Sequence, residues 1–294
     1  MTVEQAFEAA MQICAADLTA RAGRARQSDD PEAIHQLRVG IRRLRAVLST
    51  FRRALPGRGL RALGRQLRAV QQALGAARDW DVLVEETIDS LPDQASSKEI
   101  LRPLIGAAQA RRRRGHSEAR AALRSSNCTK LLSRLQTGAL SNNGAGSRPA
   151  RAVSKHPSAS PVVGFAIEAL QRRHRQARKL GRKIRDLEQR DLHQLRIRIK
   201  KLRYAVELFR DLWPVRRSRE YLLELKKLQQ LLGRVHDATV AGELTDELAR
   251  AGGPEVKQAG PLARSQIGER AARDRKALNK RWRSFAKLDP FWQR

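Results

Sequence analysis

Two stretches of this sequence place cations where several could grip one anion together. His35, Arg38, Arg42, Arg45 and Arg52 follow one another at spacings of three, four, three and seven. At 100° per residue they share one helix face, within roughly 100° of arc. His193, Arg196, Lys200, Arg203 and Arg210 repeat the spacing. A guanidinium offers a planar fork that meets phosphate or carboxylate oxygens two at a time, and an ammonium acts as a point charge. An imidazole beside a phosphate is driven toward its charged form and adds a charge-assisted hydrogen bond.

Charged helix faces normally interleave acids with bases, because like charges four residues apart destabilise each other. Residues 33 to 78 contain eleven arginines and no Asp or Glu. An anion that relieves the repulsion accounts for such a face. On the next helix Arg61, Arg65, Arg68 and Gln72 flank an apolar stripe, matched in part by Arg219, Lys226 and Gln230. A run of four arginines supplies Arg111 and Arg114 as further candidates. The basic stretch 172–185 supplies Arg178, Arg182 and Arg185, its other cations being assigned to the surface. His236 stands where the first stretch has Arg78 and is a weaker contributor; His116, His156 and His174 receive no role.

Asp79 and Asp237, each just after a Leu-Gly pair, read as helix N-caps or as partners of Arg78 and His236. Asp81, Glu85, Glu86 and Asp89 form a carboxylate face, but Thr239, Glu243, Leu244 and Glu247 replace them in the second stretch, so a solvated helix is expected. No glycine-rich phosphate loop, Ser/His/Asp set or zinc spacing is present. Cys14 and Cys128 support neither a disulfide framework nor a Cys-based zinc site. The expectation is a non-enzyme with no metal and no cofactor.

The whole chain carries 60 Lys+Arg against 30 Asp+Glu, a formal +30. Such an excess works against compactness unless a polyanion offsets it, which points to nucleic acid, an acidic membrane surface or a phosphate polymer. The N-terminus mixes Glu4, Glu8 and Asp17 into its apolar positions and lacks a signal-peptide pattern, and no window approaches the ~20 apolar residues of a membrane span. A cytoplasmic protein without membrane insertion is expected.

The elements that must position the cations come from a duplication. Residues 35–56 and 193–214 are identical at 10 of 22 positions at an offset of 158. The same offset aligns Gln72 with Gln230, Leu74-Gly75 with Leu232-Gly233 and Asp79 with Asp237. Residues 138–161, rich in Gly, Ser, Asn and Pro, read as a flexible linker between repeats at 1–137 and 162–294. Leu37, Ile41, Leu44, Leu48, Phe51 and Leu55 step by three and four, and Leu195, Ile199, Leu202, Val206 and Phe209 do likewise. Pro56 and Pro214 stop these helices. Second helices follow at about 58–77 and 216–235, with others near 2–26, 98–123, 162–188 and 262–288 and short pieces near 80–90 and 237–250. The pattern is all-α, two bundles of about four long helices.

The His-x-x-Arg-x-x-x-Arg-Arg-Leu-Arg helix, its terminating proline, the Leu-Gly-x-x-Arg-Asp turn and their duplication resemble the CHAD family, the conserved histidine α-helical domain. The resemblance implies two four-helix bundles related by a pseudo-twofold axis, with basic helices lining a central groove or pore, and binding of inorganic polyphosphate, in bacteria on polyphosphate granules. By motif it carries over to His35, Arg38, Arg42, Arg43 and Arg45, and to His193, Arg196, Lys200, Lys201 and Arg203. Lys200-Lys201 in place of Arg42-Arg43 keeps charge but loses the fork, so an asymmetric site is expected. The alternatives are a nucleic-acid-binding, nucleoid-associated protein, disfavoured by the scarcity of aromatic stacking platforms, and a phosphate-processing enzyme, which lacks a carboxylate set shared by both repeats.

Overall fold

The structure, a computed structural model, describes residues 1–28, 30–88, 95–137 and 159–293, with no side-chain description for 86–88 and 95–98. Most of the expected linker, and with it Asp89 and His156, lies outside the described residues. The described residues are helical, apart from turns and one isolated antiparallel bridge between Thr2 and Pro161.

The first repeat comprises α1 (Val3–Gln27), α2 (Pro31–Phe51), α3 (Arg58–Ala73), α4 (Gly75–Asp81), a π-helical turn (Val82–Ile88), α5 (Ala95–Arg124) and α6 (Ser126–Gln136). The second comprises α7 (Val162–Gly181), α8 (Gln189–Phe209), α9 (Val215–Ala251) and α10 (Pro254–Ala286). The sequence signals place the boundaries physically. Thr2 and Gln5 close a reciprocal capping box at the head of α1. Asp30 caps α2, accepting from the Glu32 amide at 2.9 Å, with Pro31 in the first turn where its missing N–H costs nothing.

Several boundaries differ from the periodicity reading, and the helix expected near 262–288 already begins at Pro254. The helix expected over 58–77 breaks at Leu74, whereas its counterpart runs unbroken through Leu232-Gly233 to Ala251, absorbing the short piece expected near 237–250. The break has a partner in the site: the Gln71 carbonyl, in the last turn of α3, accepts from Arg38 Nη1 at 2.9 Å. The helix expected over 162–188 stops at Gly181. An additional helix, α6, fills residues 126–136, begun by Ser125 accepting from the Cys128 amide.

Buried side chains of both repeats form one continuous core. Phe51, at the end of α2, lies 5.2 Å from Phe165 of α7 and 5.9 Å from Phe209 of α8, ring centre to ring centre, with Phe7 of α1 at 5.4 Å. The starts of both repeats are tied by the Val3 amide on the Ser160 carbonyl at 3.0 Å and the Val162 amide on the Met1 carbonyl at 3.2 Å. A smaller core also joins the repeats, packing Trp80, Leu83, Leu101 and Leu104 against Ala241, Leu248, Ala263 and Ile267. The apolar face of α2 thus anchors the helix between repeats and aims its basic face beside the core. Because Phe51 is 1 % exposed and touches rings from both repeats, Phe51→Ala is expected to lower unfolding free energy by ~3–5 kcal/mol in chemical denaturation.

Candidate functional site

Apart from Arg52 and Arg210, which follow Phe51 and Phe209, the stripe residues occupy the N-terminal and central turns of α2 and α8, upstream of the phenylalanine cluster. They face Asp79 in α4 and Asp237 in α9, each of which precedes the smaller-core residues of its own segment. At the centre, Arg38 and Arg42 of one repeat and Arg196 and Lys200 of the other lie within electrostatic reach of one another. Arg42 Nε donates to the Tyr204 hydroxyl at 3.4 Å, and the Arg203 guanidinium stacks 4.8 Å over the Tyr204 ring while pairing with Glu207 at 3.0 Å. Arg196 lies 3.7 Å from Asp237. The Nε atoms of Arg38, Arg196 and Arg203 are buried and make no hydrogen bond. Beside the centre a cleft of ≈ 390 Å³ is lined by Arg38, Arg45, Arg68, Gln71, Gln72 and Gly75, and Arg45 Nη1 donates to Gln71 Oε1 at 2.5 Å.

The electrostatics follow from crowding cations out of water. Burial, then Arg196 and Arg42, hold the Lys200 ammonium down to about 7 against the pull of Asp237, with Arg203 adding to the depression. Arg38 and Arg196 are lowered chiefly by burial, each partly offset by its carboxylate. Burial raises Asp79 even though Arg38, Arg196 and Arg78 oppose the shift. His193 is lowered by burial and by Arg196 and Lys200. His236 is lowered to about 3 by burial, Arg196, His193 and Lys200, and its Nδ1 sits 3.4 Å from that of His193.

The candidates separate into three groups. Arg38, Arg42, Arg45, Arg68, His193, Arg196, Lys200 and Arg203 lie on or beside the central cluster, Arg68 as an exposed wall of the cleft, and His35 sits one turn before Arg38 on α2 with its Nδ1 buried. Arg43, Arg52, Arg61, Arg65, Lys201, Arg210, Arg219 and Lys226 are exposed on the same helices, Arg210 lying 3.3 Å from Asp211. The irregular basic stretches contribute little: Arg111 pairs with Glu247 at 3.3 Å, Arg114 with Glu118 at 2.9 Å, and Arg178 donates to the Ala286 carbonyl. Arg182 and Arg185 are exposed in the turn after α7 and line no part of the cleft.

Other expectations need correction. Asp79 and Asp237 lie inside helices and do not cap; Asp79 does lie within electrostatic reach of its neighbour Arg78, together with Arg38 and Arg196, and Asp237 lies 3.7 Å from Arg196. Asp81 is 1 % exposed, not solvated, and accepts from Arg112 Nε and contacts His116 Nε2, both at 2.7 Å. Burial would raise its carboxyl, but the hydrogen bonds from His116 and Arg112 win and hold it below the usual range. His174, 8 % exposed among Tyr221, Phe285 and Trp292, is a core residue lowered to about 4 by burial and then Arg178. Arg173, assigned to the surface, is 7 % exposed. Tyr204 and Gln71 were missed, because a phenol replacing Ala46 and an uncharged amide carry no charge signal.

Paired helices whose basic faces meet beside a shared core define an all-helical protein with a central cluster of cations. The CHAD domain model matches residues 9–246, and the chain belongs to the CHAD family. Among solved structures, the crystal structure of the CHAD domain from the plant Ricinus communis superposes with a TM-score of 0.80 at 29% identity, covering 98% of this chain and 93% of that one. PptA from Streptomyces chartreusis shares the fold, with a TM-score of 0.72 at 20% identity over 96% of this chain and 100% of that one. The uncharacterized protein Rv2226 of Mycobacterium tuberculosis is 27% identical over 224 residues, 75% of this chain but 41% of its own length. Among the described residues no cluster of His, Cys, Asp and Glu could hold a metal ion, and no helix is long and apolar enough to cross a membrane.

Lys200 gives this site a measurable signature in the ligand-free protein. Its folded value near 7 lies below the ordinary lysine value, so between about pH 7 and 10 the unfolded chain binds more protons and stability rises with pH, by at most ~1.4 kcal/mol per unit. Urea denaturation across that range should show this rise in the parent and a flatter profile in Lys200→Met.

Proposed function

We propose that the protein is a non-catalytic binding module for inorganic polyphosphate, held along the duplicated basic faces where the repeats meet and serving association with polyphosphate granules. One observation carries the reading: Arg38, Arg42, Arg196 and Lys200, drawn from both repeats, converge where, among the described residues, the carboxylates acting on them most strongly are Asp79 and Asp237. Removing cations from water without equal countercharge costs several kcal/mol per ion. A flexible polymer with an anionic oxygen pair on every phosphorus supplies that countercharge along the whole stripe. The two carboxylates are engaged with arginines, an arrangement that suits holding an anion and offers no ready general base.

Nucleic acid carries the same charge, but the site has no base-stacking platform. Phe51, Phe165 and Phe209 are in the core, and Tyr204 is 9 % exposed beneath Arg203. Competition decides the matter: long-chain polyphosphate should displace duplex DNA from the protein at equal phosphate concentration, and its failure to do so would transfer the assignment to nucleic acid.

Charge-assisted hydrogen bonds contribute about 1.5–3 kcal/mol each. Replacing Arg38, Arg42 and Arg196 by alanine should therefore weaken polyphosphate binding by at least ~10²-fold in a titration, with helicity retained in circular dichroism. Alanine at Arg113, Arg250 and Lys257 should cost only a small part of that. Equal losses would mean that net charge is what binds. Binding should also draw a proton onto Lys200, so affinity is expected to fall as pH rises from about 7 toward 10 by at most ~10-fold per unit, and Lys200→Arg should flatten the fall.

A further inference from the structure

A second group of cations lies where α2, α7 and α8 meet, and the duplication does not account for it. Aligning the repeats at their offset supplies an internal control. Where α1 and α2 carry Cys14, Ala15, Asp17, Gly40 and Arg43, α7 and α8 carry Arg172, Arg173, Arg175, Arg198 and Lys201. The first set makes an ordinary helix contact. Asp17 pairs with Arg21 at 2.8 Å, and a methyl group at Gly40 would stand 3.2 Å from the Leu18 side chain, so α1 and α2 approach closely there. In the second set the acid has become Arg175 and the glycine has become Arg198, whose Nε is buried without a hydrogen bond.

Arg173 forms the floor of this seam. It is 7 % exposed, donates to Thr50 Oγ1 at 2.8 Å, and reaches Ser49 Oγ at 3.5 Å. Its Nε makes no hydrogen bond. The Thr50 hydroxyl itself donates to the Ala46 carbonyl at 2.7 Å, so the partners of this buried guanidinium are neutral. Arg172 and Arg53 lie alongside one another, with the carboxylate of Glu168 beside Arg172. Lys201 lies within reach of Arg173, Arg198, Arg52 and Arg45. A buried cation with only hydroxyl partners is uncompensated, and Arg172 beside it adds repulsion.

We propose that this seam is a second anion subsite, which takes phosphates of a polyphosphate chain running past the central cleft, with Arg173 as its floor and the exposed Arg52 and Lys201 as its rim. Arg45 joins the two, since it lines the cleft and also faces Lys201. The inference rests on the polyphosphate reading and adds direction to it. Only one repeat carries the subsite, so a long chain gains contacts at one end of the groove that a short chain cannot reach.

The test compares tripolyphosphate with long-chain polyphosphate on the full chain. Arg52→Glu with Lys201→Glu alters exposed positions and leaves the core intact. Long-chain affinity should fall ~10-fold or more and its salt slope should drop by about 1.5–2, while tripolyphosphate affinity changes less than ~2-fold. Arg173→Met should act in the same sense if circular dichroism shows it folded; the rim variant decides the matter if it is not. Unchanged long-chain binding by the rim variant, with loss on Arg38→Ala/Arg42→Ala, would overturn the subsite and leave the groove standing. Equal losses from Arg250→Glu with Lys257→Glu would overturn it as a net-charge effect. If the parent binds neither polymer, the groove reading fails and the subsite with it.

Discussion

The architecture is organised around one electrostatic constraint: cations from two repeats are held close together and partly out of water, where neither dielectric screening nor an equal number of acids offsets their repulsion. Apolar contacts at both ends of the stripes make this possible. The phenylalanine cluster joins the C-terminal ends of α2 and α8, and the smaller core joins the segment after Asp79 to the segment after Asp237. Hydrophobic burial of this kind is non-directional and large, so it can hold helices in an arrangement that their own charges oppose. The depressed ammonium of Lys200 and the raised carboxyl of Asp79 are two signs of the same desolvation.

The duplicated halves meet this constraint differently. Arg38 is anchored on the Gln71 carbonyl where α3 breaks before Gly75, whereas Arg196 faces Asp237, which α9 carries without a break. Arg42 leans on the Tyr204 hydroxyl, and Tyr204 has no counterpart because Ala46 occupies its place. Lys200 replaces the arginine at position 42 with an ammonium that can shed its charge near neutral pH. Pseudo-symmetry in the sequence therefore becomes a site with an arginine at position 42 on one side and a titratable lysine at position 200 on the other.

Several groups that look chemical are structural in this fold. His116 and Arg112 converge on the buried Asp81 and tie α5 to the end of α4, just before the π-helical turn. His174 is packed edge-on against Tyr221, Phe285 and Trp292, and the Trp292 indole donates to Gln171 Oε1 at 3.1 Å, which seats the C-terminal turn on α7. Each holds a helix that bears part of the basic surface without presenting a reactive atom to the cleft.

Read alone, the sequence determined the helical class, the internal repeat, the two stripes and their adjacency to the core. Each of these depends on local periodicity, and a 3.6-residue period reports which residues share a face whatever that face meets. It also singled out Asp79 and Asp237, and Asp79 does act with its neighbour Arg78, but the cap alternative failed, because an acid after Leu-Gly looks like a cap until the partner arginine comes in from another helix. Tertiary structure decided which cations converge. Arg111, Arg114 and Arg178 match the stripe residues in composition, yet they were taken up by Glu247, Glu118 and the Ala286 carbonyl. Arg173 was the reverse case, a member of a dense basic run that packing turned inward onto Thr50. Charge type is written residue by residue, but burial and counter-charge are properties of the neighbours that folding supplies, and those neighbours can lie as far as 162 positions away in the chain.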